Sequence, residues 1–195
     1  MYTITLDSAD LRNALADLAK LGEKPRGIVA AAIAAVRVKL IEHFAARNQE
    51  PNKLGGRKTN FWEQILQSTQ ITEVTDRYGV VSIGDARFAQ KVFGGKLVPK
   101  NASALTIPLR AEAHGRSASV LETEMSIKLF VVHKFGKAFL AAKVGSRLMV
   151  FYLLAKSVTQ KPDPRALPPM EELESVALEA AQEQLTEEIR RIQPT

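Results

Sequence analysis

The feature that most constrains the fold is a run of apolar residues at helical spacing between Gly27 and Arg47. The spacing predicts one continuous amphipathic helix, and Pro25 lies in the loop just ahead of it. A stripe of this length must be buried against a second layer of structure. The residues of the stripe are Val29, Ile33, Val36, Leu40 and Phe44.

A second segment, Leu148–Val158, predicts that this layer contains a β-sheet. Its residues from Leu148 to Leu154 are apolar on both faces, which is typical of a central strand. Further strands are expected where β-branched and apolar residues cluster between turn residues. These segments are Tyr2–Leu6, Ile71–Ile83 (as a hairpin), Ala104–Leu109 and Ser126–His133.

Further helices are indicated by caps and apolar spacing. A first helix is expected after Asp7 or Ser8 and before Gly22, with Leu11, Leu15, Leu18 and Leu21 on one face. Two short helices are predicted at Phe61–Gln67 and Asp85–Phe93. The final helix, Met170–Ile192, has glutamates in its first turns and arginines in its last, as the helix dipole favours.

Together these elements predict a single α+β domain spanning residues 1–195. Its N-terminal helices pack on a mainly antiparallel β-sheet, and a C-terminal helix follows. Residues 1–70 form the mainly helical part, 71–160 the sheet part, and 161–195 a proline-rich turn with the last helix. Within the sheet part, 110–124 is expected to be a long loop and 134–145 a basic loop.

Composition excludes several kinds of chemistry. The chain has no cysteine, which excludes disulfides, thiolate metal sites and cysteine nucleophiles. His43, His114 and His133 are too far apart in sequence to form a familiar metal-ligand motif. The N-terminus lacks the pattern of a secretory signal, and the longest apolar run is too short to span a bilayer. We therefore expect no catalytic centre, no metal and no cofactor.

Charge is unevenly distributed along the sequence. Residues 1–165 contain 25 Lys and Arg against 14 Asp and Glu, whereas residues 166–195 contain two against seven. A basic body with an acidic last helix can bind polyanions, or it can pair with copies of itself. The Gly55–Thr59 run, GGRKT, lacks the spacing of a phosphate-binding loop.

One segment carries a more specific signal. Residues 89–109 read AQKVFGGKLVPKNASALTIPL: a short helix, an aromatic with two glycines, a strand, Pro-Lys, a small-residue spacer and a second strand. This segment resembles the central signature of tailed-phage virion morphogenesis proteins, the Mu-like and tail-completion group. The long helix, the turn-rich loop with Trp62 after it, and the late proline–arginine turn are similar to the family's flanking features.

The resemblance implies a structural component of the phage neck or tail end. The implied protein is a tail terminator, a tail completion protein or a head–tail connector, assembled in the host cytoplasm into the virion. It would form a homo-oligomeric ring, most simply of six copies, between connector or adaptor proteins and the tail tube, with no membrane partner. The alternative is a non-specific nucleic-acid-binding protein that acts as a monomer or dimer.

Candidate functional residues follow from this interpretation. Loop cations are candidates for contact with a partner or with DNA in a channel: Arg57, Lys58, Arg116 and Lys137. Acidic residues of the last helix, with the single tryptophan, are candidates for the subunit interface: Glu183, Glu187, Glu188 and Trp62. The residues expected to shape the fold are Phe93, Gly94, Gly95 and Pro99.

Overall fold

The computed structural model describes residues 2–5, 25–52 and 54–192. The predicted helix between Asp7 and Gly22 lies outside the described residues. The described chain is an α+β fold whose strand pairings are all antiparallel, as predicted. Its contacts divide it into two compact units. Unit 1 comprises residues 1–48, 62–93 and 163–195, and unit 2 comprises residues 49–61 and 94–162.

The helices and strands follow in this order along the chain. Those before residue 94 are β1 (Tyr2–Thr5), α1 (Arg26–Gln49), α2 (Phe61–Gln67), β2 (Thr69–Val74), β3 (Gly79–Ile83) and α3 (Ala86–Phe93). Those after it are β4 (Gly95–Leu97), β5 (Leu105–Pro108), a 3-10 turn (Ala111–Ala113), α4 (Ala118–Met125), β6 (Phe130–Lys134), β7 (Lys137–Val144), β8 (Arg147–Ala155), β9 (Val158–Gln160) and α5 (Met170–Ile192).

Unit 1 is built around α1. All five residues of the predicted stripe are buried, and α1 lies antiparallel to the segment that contains α5. Buried small and apolar residues of α5 recur four residues apart, which gives that helix one packed face. The contacts run in opposite order along the two segments: Gly27 with Glu188, Lys39 with Glu172, His43 with Arg165, and Arg47 with Asp163.

The sheet of unit 1 has the strand order β1-β3-β2, with β2 and β3 forming the predicted hairpin. Helix α1 approaches the start of β3 closely, because a Cβ atom at Gly79 would lie 2.8 Å from Cβ of Ile33. Glycine is therefore required there by the close helix–strand approach.

Unit 2 contains a four-stranded sheet with the order β5-β8-β7-β6 and a separate β4-β9 ribbon. Strand β8 is central, as its two apolar faces predict, and Phe151 and Tyr152 on successive positions are both buried. The predicted strand Leu148–Val158 is divided in two, since β8 ends at Ala155 and β9 begins at Val158.

The segment 110–124 was wrongly predicted to be a long loop. It contains the 3-10 turn and most of α4, whose N-cap Ser117 accepts a hydrogen bond from the Val120 amide at 3.3 Å. Leu121 is fully buried and anchors α4 in the core of unit 2. Of the polar residues that suggested a loop, Ser119, Thr123 and Glu124 lie on the exposed face of this helix.

The segment 134–145 was also wrongly predicted to be a loop. Its greater part is β7, which pairs with β6 on one side and β8 on the other. The fully buried residues of β7 are Ala141 and Ala142. Alanine has a low intrinsic preference for strands. The strand at β7 therefore forms because it packs between two neighbouring strands, and not because of the strand preference of its residues.

Candidate functional site

The charges of the chain separate by structural unit. Unit 2 contains 14 Lys and Arg against four Asp and Glu, a formal charge of +10. Unit 1 contains 13 against 17, a formal charge of −4, and together the units account for the +6 of the whole chain. The negative charge of unit 1 comes from residues 166–195, which carry −5, whereas the remainder of unit 1 carries +1. Unit 2 is a polycation.

The four-stranded sheet carries the most one-sided part of this charge. Residues 125–162 contain no aspartate and no glutamate. A stretch without acids of its own attracts anions, since no carboxylate within it compensates its cations. The carboxylate of Glu122, in α4, accepts a hydrogen bond from the Leu129 amide at 2.7 Å. The cations of this stretch are Lys128, Lys134, Lys137, Lys143, Arg147, Lys156 and Lys161.

The turn between β6 and β7 places an aromatic residue between two of these lysines. We call residues Lys134, Phe135, Gly136 and Lys137 the hairpin tip. Phe135 is 86% exposed, and the Lys134 Nζ atom lies 4.9 Å from the centre of its ring. Phe135 and Gly136 have φ values of 52° and 69°, the pattern of a type I′ turn.

Lys137 is the one predicted contact residue that lies in the hairpin tip. It is exposed and pairs across the ladder with Lys134. Sequence reasoning counted Lys134 only among the basic loop residues and missed Phe135, because the segment was interpreted as a loop. The signal was present as Lys-Phe-Gly-Lys between two apolar runs, the pattern of a two-residue hairpin turn.

Arg57 and Lys58 lie together in the segment between α1 and α2, and both are exposed. The backbone at Arg57 is held in place, since its carbonyl accepts a hydrogen bond from Nδ1 of His114 at 2.9 Å. The Lys58 ammonium donates to the Gln49 side chain at 3.4 Å. The Arg57 guanidinium is therefore presented from an anchored backbone.

Arg116, the fourth predicted cation, is engaged within unit 2. Its guanidinium forms an ion pair with Glu124 and donates a hydrogen bond to the Glu112 carbonyl at 2.7 Å. Only 23% of its side chain is exposed. Its charge is thus partly compensated, and its clearest role in the structure is to hold the 3-10 turn against α4.

The three glutamates of α5 divide into two groups. Glu183 and Glu187 are exposed one turn apart, which gives the helix an outward acidic face. Glu188 instead lies over the start of α1, where a Cβ atom at Gly27 would be 2.7 Å from its Oε1 atom. A carboxylate at a helix N-terminus is stabilised by the helix dipole, so Glu188 has a role within unit 1.

Trp62 packs within unit 1. Its ring stacks on Phe44 with centroids 5.9 Å apart and meets Phe88 edge to face at 6.4 Å. The Arg47 guanidinium lies 4.8 Å from the centre of the indole ring. The side chain is half-buried, so most of its contact area belongs to this aromatic cluster.

The Phe93–Pro99 segment turns the chain between α3 and β4. Gly94 and Gly95 have φ values of 68° and 121°, which side chains with a Cβ rarely adopt. A Cβ at Gly94 would lie 2.5 Å from the Gln160 carbonyl oxygen and 2.8 Å from the Pro162 ring. Phe93 is 67% exposed, and Pro99 follows the short strand β4. The paired glycines therefore permit a turn that no other residue fits.

The shifted pKa values have local causes. A hydrogen bond from Arg87 lowers the pKa of Asp85, and a hydrogen bond to Glu73 raises the pKa of Tyr78. Glu172 raises the pKa of Lys39, and burial raises the pKa of Tyr152. Each of these pKa shifts is therefore explained by an ion pair, a hydrogen bond or burial of the side chain.

Among the described residues, no group of three or more His, Asp or Glu side chains is placed to hold a metal ion. In the same part of the chain, no helix has the length and apolar character needed to cross a membrane.

Comparison with known proteins finds no matching family model, no matching curated protein and no matching solved structure.

Proposed function

We propose that this chain is a structural virion protein of a tailed bacteriophage, which forms a ring at the neck and joins the head connector to the tail. The observation that carries the proposal is the opposite charge of the two units, +10 and −4. A subunit with one basic and one acidic body is suited to head-to-tail association, because the acidic body of one copy attracts the basic body of the next.

Head-to-tail contacts are heterologous, and they produce a closed ring when the rotation between copies divides a full turn. In the proposed ring of six copies, the outward acidic face of α5, at Glu183 and Glu187, docks on unit 2 of the neighbour. The faces of the ring stack on the connector and on the tail tube. The function is binding, and it requires no bond-making step, metal or cofactor.

The geometry of the Gly94–Gly95 turn supports the resemblance behind this proposal. The motif of the virion morphogenesis proteins requires a tight reversal after a short helix, and both glycines have positive φ directly after α3. Strand β4 follows this turn, and β5 follows the Pro-Lys pair and the spacer, in the order that the motif predicts.

The experiment that tests the proposal is charge reversal on α5, followed by size determination. E183K/E187K is expected to shift the protein from rings to single subunits in light scattering and native mass spectrometry. The matched control is E171K/E174K, which changes the net charge equally at two exposed positions on another face of the same helix. Glu188 is left unchanged because it packs against Gly27.

Assembly that survives E183K/E187K at moderate salt contradicts the acid-against-base contact. Equal loss of assembly in both variants shows that net charge matters and that the position of the acids does not. A wild-type chain that never associates, even with phage connector and tail tube proteins present, contradicts the ring itself.

A second candidate function is non-specific nucleic-acid binding by single subunits. The absence of any carboxylate between residues 125 and 162 favours it, since phosphate contacts dominate such binding. The two functions differ in assembly: the neck protein must associate with itself, whereas the second function is complete in one subunit.

A further inference from the structure

Three features of the hairpin tip lower the stability of the fold. Phe135 has a left-handed backbone, which costs a residue with a Cβ about 1 kcal/mol and for which asparagine is the usual choice. Its ring is 86% exposed and gains little from burial. Lys134 and Lys137 face each other across the ladder, where like charges repel.

Residues that break local rules together are expected at functional sites. The tip projects into open space, since a Cβ at Gly136 would meet no atom within 4 Å. An exposed aromatic ring beside the Lys134 ammonium, with Lys137 across the ladder from Lys134, matches a ligand with an apolar surface bordered by negative charge. A nucleic-acid duplex has this arrangement, with stacked bases between two rows of phosphates.

We propose that the hairpin tip binds double-stranded nucleic acid, with Lys134 and Lys137 on phosphates and Phe135 inserted against the bases in a groove. Two-stranded ribbons fit the grooves of a duplex, and apolar side chains are known to wedge between base steps. The contact is insensitive to sequence, because neither lysine nor phenylalanine reads a base edge in this arrangement.

The sheet register adds a third cation at the same end. Ala138 of β7 pairs with Leu154 of β8, so Lys156, two residues further, lies beside the tip end of the sheet. The two strands and the turn that form the tip contribute no carboxylate of their own, because residues 125–162 contain none. Charge complementarity therefore favours a polyanion with regularly spaced charges.

The test measures binding of the full-length chain to a fluorescent duplex of random sequence over a range of salt concentrations. F135N removes the ring and places the preferred residue in the type I′ turn. It is expected to raise the melting temperature by about 2 °C or more and to weaken duplex binding about tenfold or more.

K134A/K137A is expected to weaken binding by about 10- to 100-fold near 0.1 M salt and to lower the salt slope by about two. The matched control is K96A/K100A, which removes two exposed lysines elsewhere in unit 2. The control is expected to lose less than about threefold, since long-range attraction alone is reduced.

The inference is wrong if wild type does not bind the duplex, or if F135N binds it as tightly as wild type. It is also wrong if polyglutamate competes as well as the duplex, since an acidic protein then fits the tip. The inference does not depend on ring formation. Variants of the tip that assemble normally but lose duplex binding support it, whereas variants that lose assembly assign the tip to the subunit interface.

Discussion

At the scale of single residues, Gly94 offers the sharpest test of the turn that the sequence motif predicts. Its φ is 68°, and a Cβ there would lie 2.5 Å from a backbone oxygen. We expect G94A to destabilise the protein by about 2 kcal/mol or more, from left-handed strain and from the displacement of Gln160 and Pro162. Urea unfolding measures this difference.

The matched control is Gly55, whose φ is also 68° but whose Cβ would meet nothing within 4 Å. G55A isolates the backbone cost and is expected to lose about 1 kcal/mol. Equal losses for the two variants would contradict the proposed crowding at Gly94.

The Tyr152 hydroxyl links β8 to segment 110–124, which the sequence predicted to be a loop. This hydroxyl, in a side chain 1% exposed, lies 3.2 Å from the Arg116 carbonyl that accepts its hydrogen bond. Burial raises its pKa above 10.0, so the neutral form stabilises the fold below about pH 10, and this contribution is lost as pH rises through the folded pKa.

We therefore expect Y152F to cost about 1 kcal/mol at neutral pH, because the donor to the buried carbonyls is lost. The deficit should shrink at about pH 11, where the phenol of the unfolded wild type is mostly ionised, so folding must bury the phenolate or take up a proton at a cost. Urea unfolding at both pH values measures it, and a constant deficit would contradict this role of Tyr152.

At the scale of elements, a largely buried ion pair joins α1 to the chain that leads into α5. Arg47 is 9% exposed, and its Nη2 atom lies 2.7 Å from Asp163 Oδ2. We expect D163N to destabilise the protein by about 2 kcal/mol, since a buried guanidinium loses a charged partner. Thermal unfolding measures the effect.

The control is the exposed pair Glu187–Arg191 on α5, in which the Glu187 Oε2 atom lies 3.8 Å from the Arg191 Nη2 atom. E187Q is expected to change stability by less than about 0.5 kcal/mol. A D163N effect as small as that of E187Q would show that the pair adds nothing beyond a surface contact.

The elements also show what the sequence can and cannot predict. Helix α1 and strand β8 were predicted because their apolar residues follow one clear period or fill both faces. Strand β7 was missed because its fully buried residues are two alanines, and α4 because Leu121 is its one fully buried residue. In both cases tertiary packing overrides the local pattern.

The same limit applied to the candidate site. Lys137 was predicted from charge alone. Phe135 could be recognised as a candidate only once β6 and β7 were known to pair, because that pairing places it in the exposed turn. Arg116 and Glu188 looked equivalent to their neighbours in sequence, and only the fold shows that each has a partner within its own unit.

At the scale of the whole molecule, the proposed self-association through units of opposite formal charge should depend on salt. Exposed charges are screened over about 8–10 Å at physiological salt, and more strongly above it. We expect the assembled fraction of wild type to fall as salt is raised from about 0.05 M to about 0.5 M. Analytical ultracentrifugation measures this, and assembly that strengthens with salt would point to an apolar interface.

The proposed ring at the phage neck can be tested by cryo-electron microscopy of phage particles whose genome contains the coding sequence of this chain. We expect a ring at the neck, in which both units of every copy fit the density and the hairpin tips face the DNA channel. Particles that are infectious and complete yet lack the protein would contradict the account.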